Sequence, residues 1–348
     1  MTFQTSVNAV AETLCLPQPY LLFLGDVTDA GFAKTAFGLK DWAPEKCIGE
    51  YALPAASVST GLPFLTPAEA AANGARSLLI GVANSGGFIS DSWIPALIEG
   101  LEAGLDIVSG MHARLSDVSG LEAMASRLGR RLIDVRHAPS GLLVGTGRKR
   151  SGKRLLTVGT DCALGKKYTA LAISRAFASR GIDVDFRASG QTGIMIAGGG
   201  IPMDAVVSDF EAGAAEMLSP DAAPDHWDVV EGQGALLHPA YAAVSLGLLH
   251  GSQPDVIVVC HHPGRAAMLG VPGYAVPKIE DTIDLSLRLG ARTNPAIRCA
   301  GISFNTAHLD DEEATMLMAE ESRRLGLPVA DPIRGGNEFA RLVDSCLA

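Results

Sequence analysis

Short apolar runs alternate with amphipathic stretches along most of the chain. Apolar runs in the first half that are typical of buried strands lie at residues 21–24, 77–82, 107–108 and 132–135. Between them, apolar residues recur with helical spacing over 67–73, 94–103 and 121–128. This alternation predicts an open parallel sheet that is covered by helices on both faces.

The second half continues the same pattern with a longer series of strands. Residues 154–158 predict a buried strand, a helix follows residue 167 and ends near Gly181, and 182–186 alternates as a strand does. Further apolar runs, each followed by polar or glycine residues, lie at 228–230, 256–260, 299–304 and 328–330. Since the carboxyl ends of parallel strands share one edge of a sheet, these polar ends predict an enzyme site there.

A basic, polar stretch over residues 145–153 separates the two series of strands. It is typical of a solvated linker, although a flap that attracts phosphate would have the same composition. A chain of 348 residues predicts two domains, which we place at 1–148 and 149–348. The first domain either supplies part of the site or serves only in dimerisation.

Charge and composition exclude several classes of protein. The formal net charge is −10, which argues against nucleic acid or an anionic membrane as the main partner. No apolar run reaches the ~20 residues that span a bilayer, and no signal peptide is evident at the N-terminus. Six cysteines without a C-x-x-C pair are typical of reduced thiols rather than of disulfides or zinc. We therefore expect a cytoplasmic protein without a bound metal, and a homodimer.

The most informative motif joins the strand at 154–158 to the helix that follows. Backbone N–H groups at a helix N-terminus and a lysine ammonium together bind phosphate. Lys166 would hold a phosphate as a point charge. The predicted phosphate-binding residues are Gly159, Thr160, Asp161, Cys162, Ala163, Leu164, Gly165, Lys166, Lys167 and Tyr168.

Two departures from the usual G-x-x-x-x-G-K-[ST] spacing indicate which phosphates this loop favours. The nearest upstream glycine is Gly159, which makes the spacing to Gly165 one residue longer, and Lys167 replaces the serine or threonine that holds Mg²⁺. A second ammonium at the magnesium position disfavours a Mg²⁺–triphosphate and favours phosphates without metal. Cys162, next to a helix N-terminus, could have a lowered pKa and act as a nucleophile, although a small residue that fits the loop is the simpler interpretation.

The candidate general bases are one glutamate, one aspartate and several histidines. Glu231 ends an apolar strand like the acidic position opposite a phosphate loop, where a carboxylate holds Mg²⁺ or takes a proton. It could instead form a salt bridge with a loop lysine. Asp209 could be a base or could cap a helix. His238, His261 and His262 lie near strand ends, without the spacing of zinc ligands.

Other polar groups at the predicted edge could bind an anionic substrate. Bidentate arginine suits carboxylates, which makes Arg265 and Arg334 candidates. Neutral hydrogen bonds could come from Ser189, Gln191 and Gln233.

These positions resemble known proteins. The loop is similar to the G-T-D-x-x-x-G-K loop of the dethiobiotin synthetase group of P-loop proteins, and Val230-Glu231-Gly232 is similar to that group's V-E-G motif. The chain resembles more closely a two-domain family with the motifs G-T-D-C-A-x-G-K, S-G-Q-T-G, E-G-Q-G and D-P-I-R, found here at 159–166, 189–193, 231–234 and 331–334. Its members include the DgcN-type D-glutamate N-acetyltransferases. Lys167-Tyr168 departs from the M-T expected after the G-K pair.

The resemblance implies an α/β fold, with an N-terminal Rossmann-like open parallel sheet domain and a C-terminal P-loop NTPase-like domain. It also implies acetyl transfer from acetyl-CoA to the amine of D-glutamate, a small acidic amino acid, in D-amino-acid catabolism. Coenzyme A carries phosphates but needs no Mg²⁺, which agrees with Lys167 at the magnesium position. Glu231 is then the leading base, with Asp209 or His238 as runners-up.

The residues alone leave two other functions open. The same loop and Glu231 would suit an ATP- and Mg²⁺-dependent kinase or ligase of the dethiobiotin-synthetase type. A metabolite-sensing protein would bind a nucleotide without turnover.

Overall fold

The computed structural model describes residues 13–84 and 86–348. Its strands are β1 (Leu14–Cys15), β2 (Tyr20–Gly25), β3 (Cys47–Ala52), β4 (Ser77–Ile80), β5 (Asp106–Ser109), β6 (Leu132–Asp134), β7 (Lys153–Gly159), β8 (Val184–Arg187), β9 (Gly199–Gly200), β10 (Trp227–Val230), β11 (Val256–His261), β12 (Arg298–Phe304) and β13 (Val329–Ala330). Its helices are α1 (Lys34–Trp42), α2 (Pro67–Ala72), α3 (Ile94–Glu102), α4 (Leu121–Leu128), α5 (Lys166–Ser179), α6 (Gln191–Ala197), α7 (Glu211–Leu218), α8 (Ala242–Ser252), α9 (Ile279–Gly290), α10 (Asp311–Leu325) and α11 (Gly336–Leu347).

None of the helices within these residues has both the length and the apolar character needed to cross a membrane. The N-terminal residues on which the signal-peptide expectation depends lie outside the described part of the chain.

The chain forms two compact units. The N-terminal unit contains described residues 13–139 and 190–205, and the C-terminal unit contains 140–189 and 206–348. A boundary between 148 and 149 would assign α6 and β9 to the second domain, whereas they lie in the N-terminal unit. There, Lys46 Nζ donates to the carbonyl oxygens of Ile196 and Ala197 at 2.7 and 2.8 Å. The exact position of the domain boundary stays a prediction.

The N-terminal unit contains a five-stranded parallel sheet in the order β3-β2-β4-β5-β6. The strands and helices predicted for the first half are confirmed, with ends shifted by one or two residues. β3 and α1 were not predicted. Glu50 interrupts the apolar pattern of β3, yet it is buried because Thr60 N–H donates to its carboxylate at 2.7 Å. The predicted Rossmann-like parallel sheet is confirmed.

The C-terminal unit contains a six-stranded parallel sheet in the order β13-β12-β11-β7-β10-β8. Its central strands are buried, and α5 packs Ile173 and Phe177 against them. The Phe177 ring meets that of Trp227 edge-on, with 5.3 Å between centroids. Because the strands are all parallel, their carboxyl ends converge on one edge, as the sequence predicts. β7 lies in the middle of that edge, with β10 on one side and β11 on the other.

Candidate functional site

The predicted phosphate loop is a tight connection between β7 and α5. β7 ends at Gly159 and α5 begins at Lys166. Gly165, the residue before the helix, has φ +103°, a conformation that glycine adopts without strain. The first N–H groups of a helix have no acceptor within it, so the turn presents donors and the positive end of α5 at the centre of the sheet edge.

The two lysines of the loop have different surroundings. Lys166 is buried, and its Nζ donates to the carbonyl oxygen of Asp161 at 2.8 Å. Lys167 is half-buried, with Nζ 4.4 Å from the centroid of the Tyr168 ring. Burial lowers the pKa of both ammonium groups, and the nearby Glu231 carboxylate opposes this shift in each. Two cationic groups therefore lie beside the helix N-terminus.

Asp161 is fully buried and acts as the internal brace of the loop. Its carboxylate accepts from the backbone N–H of Cys162 at 2.7 Å, from that of Leu269 at 2.9 Å and from Arg265 Nη1 at 3.0 Å. Burial by itself would raise the Asp161 pKa, but these hydrogen bonds outweigh it and hold the pKa below its usual range. The side chain predicted to contact a phosphate thus ties the segment around residue 269 to the loop.

Both candidate substrate arginines brace loops in the structure. Arg265 also donates to the carbonyl oxygens of Cys162 and Ala163 at 2.9 and 3.3 Å. Arg334 donates to Thr306 Oγ1 at 2.7 Å, to the carbonyl oxygen of Leu309 at 2.6 Å, and to Asp311. Most of their guanidinium donors are therefore engaged within the protein, and binding of substrate carboxylates by either arginine stays a prediction.

Glu231, Ser189 and Gln233 are brought together at the ends of β10 and β8. Glu231 is buried and accepts the Ser189 N–H at 3.0 Å, while Ser189 Oγ donates to the Glu231 carbonyl oxygen at 2.5 Å. Gln233 Nε2 donates to Ser189 Oγ at 3.1 Å. The sequence predicted this convergence from strand ends alone, and the Glu231 charge also acts on both loop lysines.

Gly232 allows this strand end to approach the phosphate loop. Its N–H donates to Thr157 Oγ1 at 2.9 Å. A Cβ at this position would lie 1.7 Å from the carbonyl oxygen of Thr157 and 3.2 Å from Cδ of Lys166. Only glycine fits, because the clashing atom belongs to the backbone of the central strand. The role of Thr157 was missed, since nothing in the sequence marks a buried strand threonine as the partner of a distant glycine.

His238 is buried beside the loop in a tautomer that does not suit a base. Its Nδ1 accepts the Ala240 N–H at 3.1 Å, which assigns the ring proton to Nε2. Nε2 lies 3.8 Å from an Asp161 carboxylate oxygen. With one nitrogen accepting and the other protonated, the neutral ring has no lone pair free to take a proton.

Asp161, Cys162 and His238 also place possible metal-ligating atoms within 4.8 Å of one another. A histidine that binds metal normally donates a hydrogen bond from its second nitrogen, whereas Nδ1 of His238 accepts one. The Asp161 carboxylate is already occupied by three donors. The donor set therefore fits a metal poorly. Burial raises the pKa of Cys162, whereas the nucleophile alternative depends on a lowered pKa. The simpler interpretation of Cys162, as a small residue that fits the loop, stays a prediction.

Three further candidates have different surroundings. Asp209 is exposed, in a 3₁₀ turn (Ser208–Phe210) that precedes α7. Gln191 begins α6 in the N-terminal unit, where its Oε1 accepts from Arg136 Nε at 2.6 Å. His261 Nδ1 lies 2.9 Å from Thr160 Oγ1, and burial, followed by the neighbouring His262, lowers its pKa to about 4. His261 is thus a neutral neighbour of the phosphate loop.

Comparison with known families identifies both halves of the chain. Residues 45–138 match the family described as "Domain of unknown function (DUF1611_N) Rossmann-like domain". Residues 143–343 match "Domain of unknown function (DUF1611_C) P-loop domain". A crystal structure of a DUF1611 family protein from Anabaena variabilis is 31% identical, with a TM-score of 0.81 over 95% of this chain and 99% of the other.

Two relatives have a named activity. A D-glutamate N-acetyltransferase of Tritonibacter scottomollicae is 48% identical over 330 residues, which are 95% of this chain and 98% of the relative. A D-glutamate N-acetyltransferase of a Pseudoalteromonas species is 47% identical over the same coverage.

Proposed function

The chain belongs to the DUF1611 family, and we propose that it is an acyltransferase that moves the acetyl group of acetyl-CoA to the amine of D-glutamate. The observation that supports this most strongly is the likeness, over almost the whole chain, to two relatives named for D-glutamate N-acetylation. The proposed setting is D-amino-acid catabolism in the cytoplasm, with the protein as a homodimer.

The phosphate loop supports coenzyme A as the acetyl donor. Coenzyme A has a diphosphate, which the N-terminus of α5 and the ammonium groups of Lys166 and Lys167 would bind. The lysine at position 167 takes the place of the hydroxyl that holds Mg²⁺ in nucleotide-hydrolysing loops. The loop therefore suits phosphates that anchor a ligand without reacting.

Glu231 is the residue that we propose as general base. The substrate ammonium must lose a proton before its nitrogen can attack, and Glu231 provides a buried carboxylate next to the loop. The amine nitrogen then forms a bond to the acetyl carbonyl carbon, the carbon–sulfur bond breaks, and the coenzyme leaves as a thiolate that takes up a proton. A loop N–H or lysine would stabilise the negative oxygen of the tetrahedral intermediate.

The test is an assay of coenzyme A thiol release with acetyl-CoA and D-glutamate, compared with L-glutamate. Lys166→Met should raise KM for acetyl-CoA at least tenfold, because it removes a phosphate-binding charge. Lys153→Met is the matched control, since Lys153 is exposed at the opposite end of the same strand. Glu231→Gln should lower kcat by a factor on the order of 10²–10⁴, as loss of a general base does.

Two outcomes would refute the proposal. The first is the absence of acetyl transfer to D-glutamate. The second is transfer that stops in EDTA and requires ATP, which would favour the ligase alternative. An unchanged KM in Lys166→Met would refute the assignment of the loop while leaving the reaction itself intact.

A further inference from the structure

An apolar cavity of about 360 Å³ lies beside the phosphate loop in the C-terminal unit. One wall comes from Leu164 and Tyr168, at the start of α5. It is also lined by Phe304 at the end of β12, and by Pro332 and Ile333 in the D-P-I-R motif. Its volume is near the lower limit of the ~300–1,000 Å³ typical of small-molecule pockets, so it suits one portion of a coenzyme rather than the whole molecule.

The charged side chains that line this cavity are bound to the protein. The Asp331 carboxylate accepts the N–H and the hydroxyl of Thr306 at 2.9 and 2.6 Å, and the N–H of Ile333 at 2.9 Å. Arg334 is held by Thr306 and by the carbonyl oxygen of Leu309. The cavity therefore offers apolar surface and a rigid rim, but no carboxylate placed to take a proton from a substrate amine.

The order of the strands places this cavity and Glu231 on opposite sides of the loop. The loop follows β7, Glu231 follows β10 on one side, and the cavity lies at the ends of β12 and β13, beyond β11 on the other side. A coenzyme with its phosphates on the loop has one arm on each side. The thioester must be near Glu231, the proposed general base, so the arm without the thioester is directed to the cavity.

We propose that this cavity binds the purine base of coenzyme A, while the pantetheine arm runs towards Glu231. A planar base has two apolar faces, which Tyr168 and Ile333 can cover, and its ring nitrogens are hydrogen-bond acceptors. Asn305 supplies the matching donor at the cavity: its Oδ1 accepts the Ala307 N–H at 3.3 Å, and its amide N–H groups can donate to the base. This assignment rests on the proposed function and adds a specificity site for the donor.

The test compares three donors that share the thioester arm: acetyl-CoA, acetyl-dephospho-CoA and acetyl-4′-phosphopantetheine. The third lacks the adenosine, its 3′-phosphate and one phosphate of the diphosphate, so the cavity variants described below are needed to isolate the contribution of the purine base. The wild type should show a KM for acetyl-4′-phosphopantetheine at least tenfold above that for acetyl-CoA. Acetyl-dephospho-CoA distinguishes the contribution of the purine base to KM from that of the 3′-phosphate, because it keeps the purine base and lacks that phosphate.

Two variants change the cavity without adding charge. Ile333→Ser removes an apolar side chain at an exposed lining position, and Ala307→Trp adds bulk at another. Each should raise KM for acetyl-CoA and acetyl-dephospho-CoA about tenfold and leave KM for acetyl-4′-phosphopantetheine unchanged. Met316→Ser is the matched control, since Met316 is similarly exposed (60%, against 64% for Ile333) and does not line the cavity. Thermal unfolding checks that each variant is folded.

The failures can be told apart. If the wild type acetylates D-glutamate equally well with all three donors, or if the variants affect all donors alike, the assignment of the cavity to the purine base is wrong and the proposed function stands. If no donor is used, the proposed function fails and the base assignment fails with it.

Discussion

Replacing Asp161 by asparagine should destabilise the C-terminal unit far more than an isosteric change usually does. The carboxylate is fully buried, and its partner Arg265 is only 18% exposed, so solvent screens the pair weakly. An asparagine NH₂ would face either the Cys162 N–H or the donors of Arg265 and Leu269, and donor would meet donor in both orientations. Removing one member of a buried ion pair costs about 3–5 kcal/mol, which for a domain of this size corresponds to a Tm decrease of roughly 6–20 °C.

The measurement is thermal unfolding by circular dichroism at neutral pH, with Asp284→Asn as the matched control. Asp284 pairs with Arg288 at 2.7 Å on α9, with both side chains more than half exposed. Such surface pairs contribute about 0–1 kcal/mol, so the control should melt within a few degrees of the wild type.

The pH dependence gives a second check on the Asp161 variant. The folded-state pKa of Asp161 is lowered, so its contribution is complete above the unfolded value of about 3.9 and is lost as the pH falls through the folded value. The Tm difference between wild type and variant should therefore stay constant from pH 8 to pH 5 and narrow only in stronger acid. Equal Tm values for Asp161→Asn and Asp284→Asn would refute the conclusion that Asp161 braces the phosphate loop.

The other predictions concern a glycine, a histidine and a surface aspartate. Gly232→Ala should destabilise the fold by about 3 kcal/mol, since its Cβ would lie 1.7 Å from the Thr157 carbonyl oxygen; Gly74→Ala, with φ +92° and open space, should cost only about 1–2 kcal/mol in a denaturant titration. Burial lowers the pKa of His226, but hydrogen bonds to Asp183 and Asp228 outweigh it and the net pKa is raised. The part of the His226→Gln destabilisation that depends on the imidazolium charge should thus be complete below about pH 6.5 and be lost as the pH rises through the folded value; a loss that grows with pH would contradict this. Asp209→Asn should keep its kcat within twofold of the wild type, because Asp209 is exposed, and a tenfold loss in the acetyl-transfer assay would restore it as a candidate base.

The sequence determined which segments form the core of each unit and where the phosphate loop lies. Apolar runs of strand length and helical periodicity reflect local burial, so they located nearly every central strand. Gly165 marked the turn into α5, where the backbone has a positive φ that glycine adopts without strain. Because parallel strands end on one edge, the sequence also predicted that Ser189, Glu231 and Gln233 would meet.

The partners of individual side chains depend on the tertiary structure and were not predictable from residue spacing. The position of β10 between β7 and β8, the placement of residues 190–205 in the N-terminal unit, and the use of Arg265 and Arg334 as braces all depend on contacts between distant segments. The tautomer of His238 follows from one backbone N–H two residues along the chain, in a loop whose path no periodicity describes. Residue spacing sets local conformation, whereas the pairing of polar groups follows from how loops pack, and that packing distinguishes a brace from a ligand-binding group.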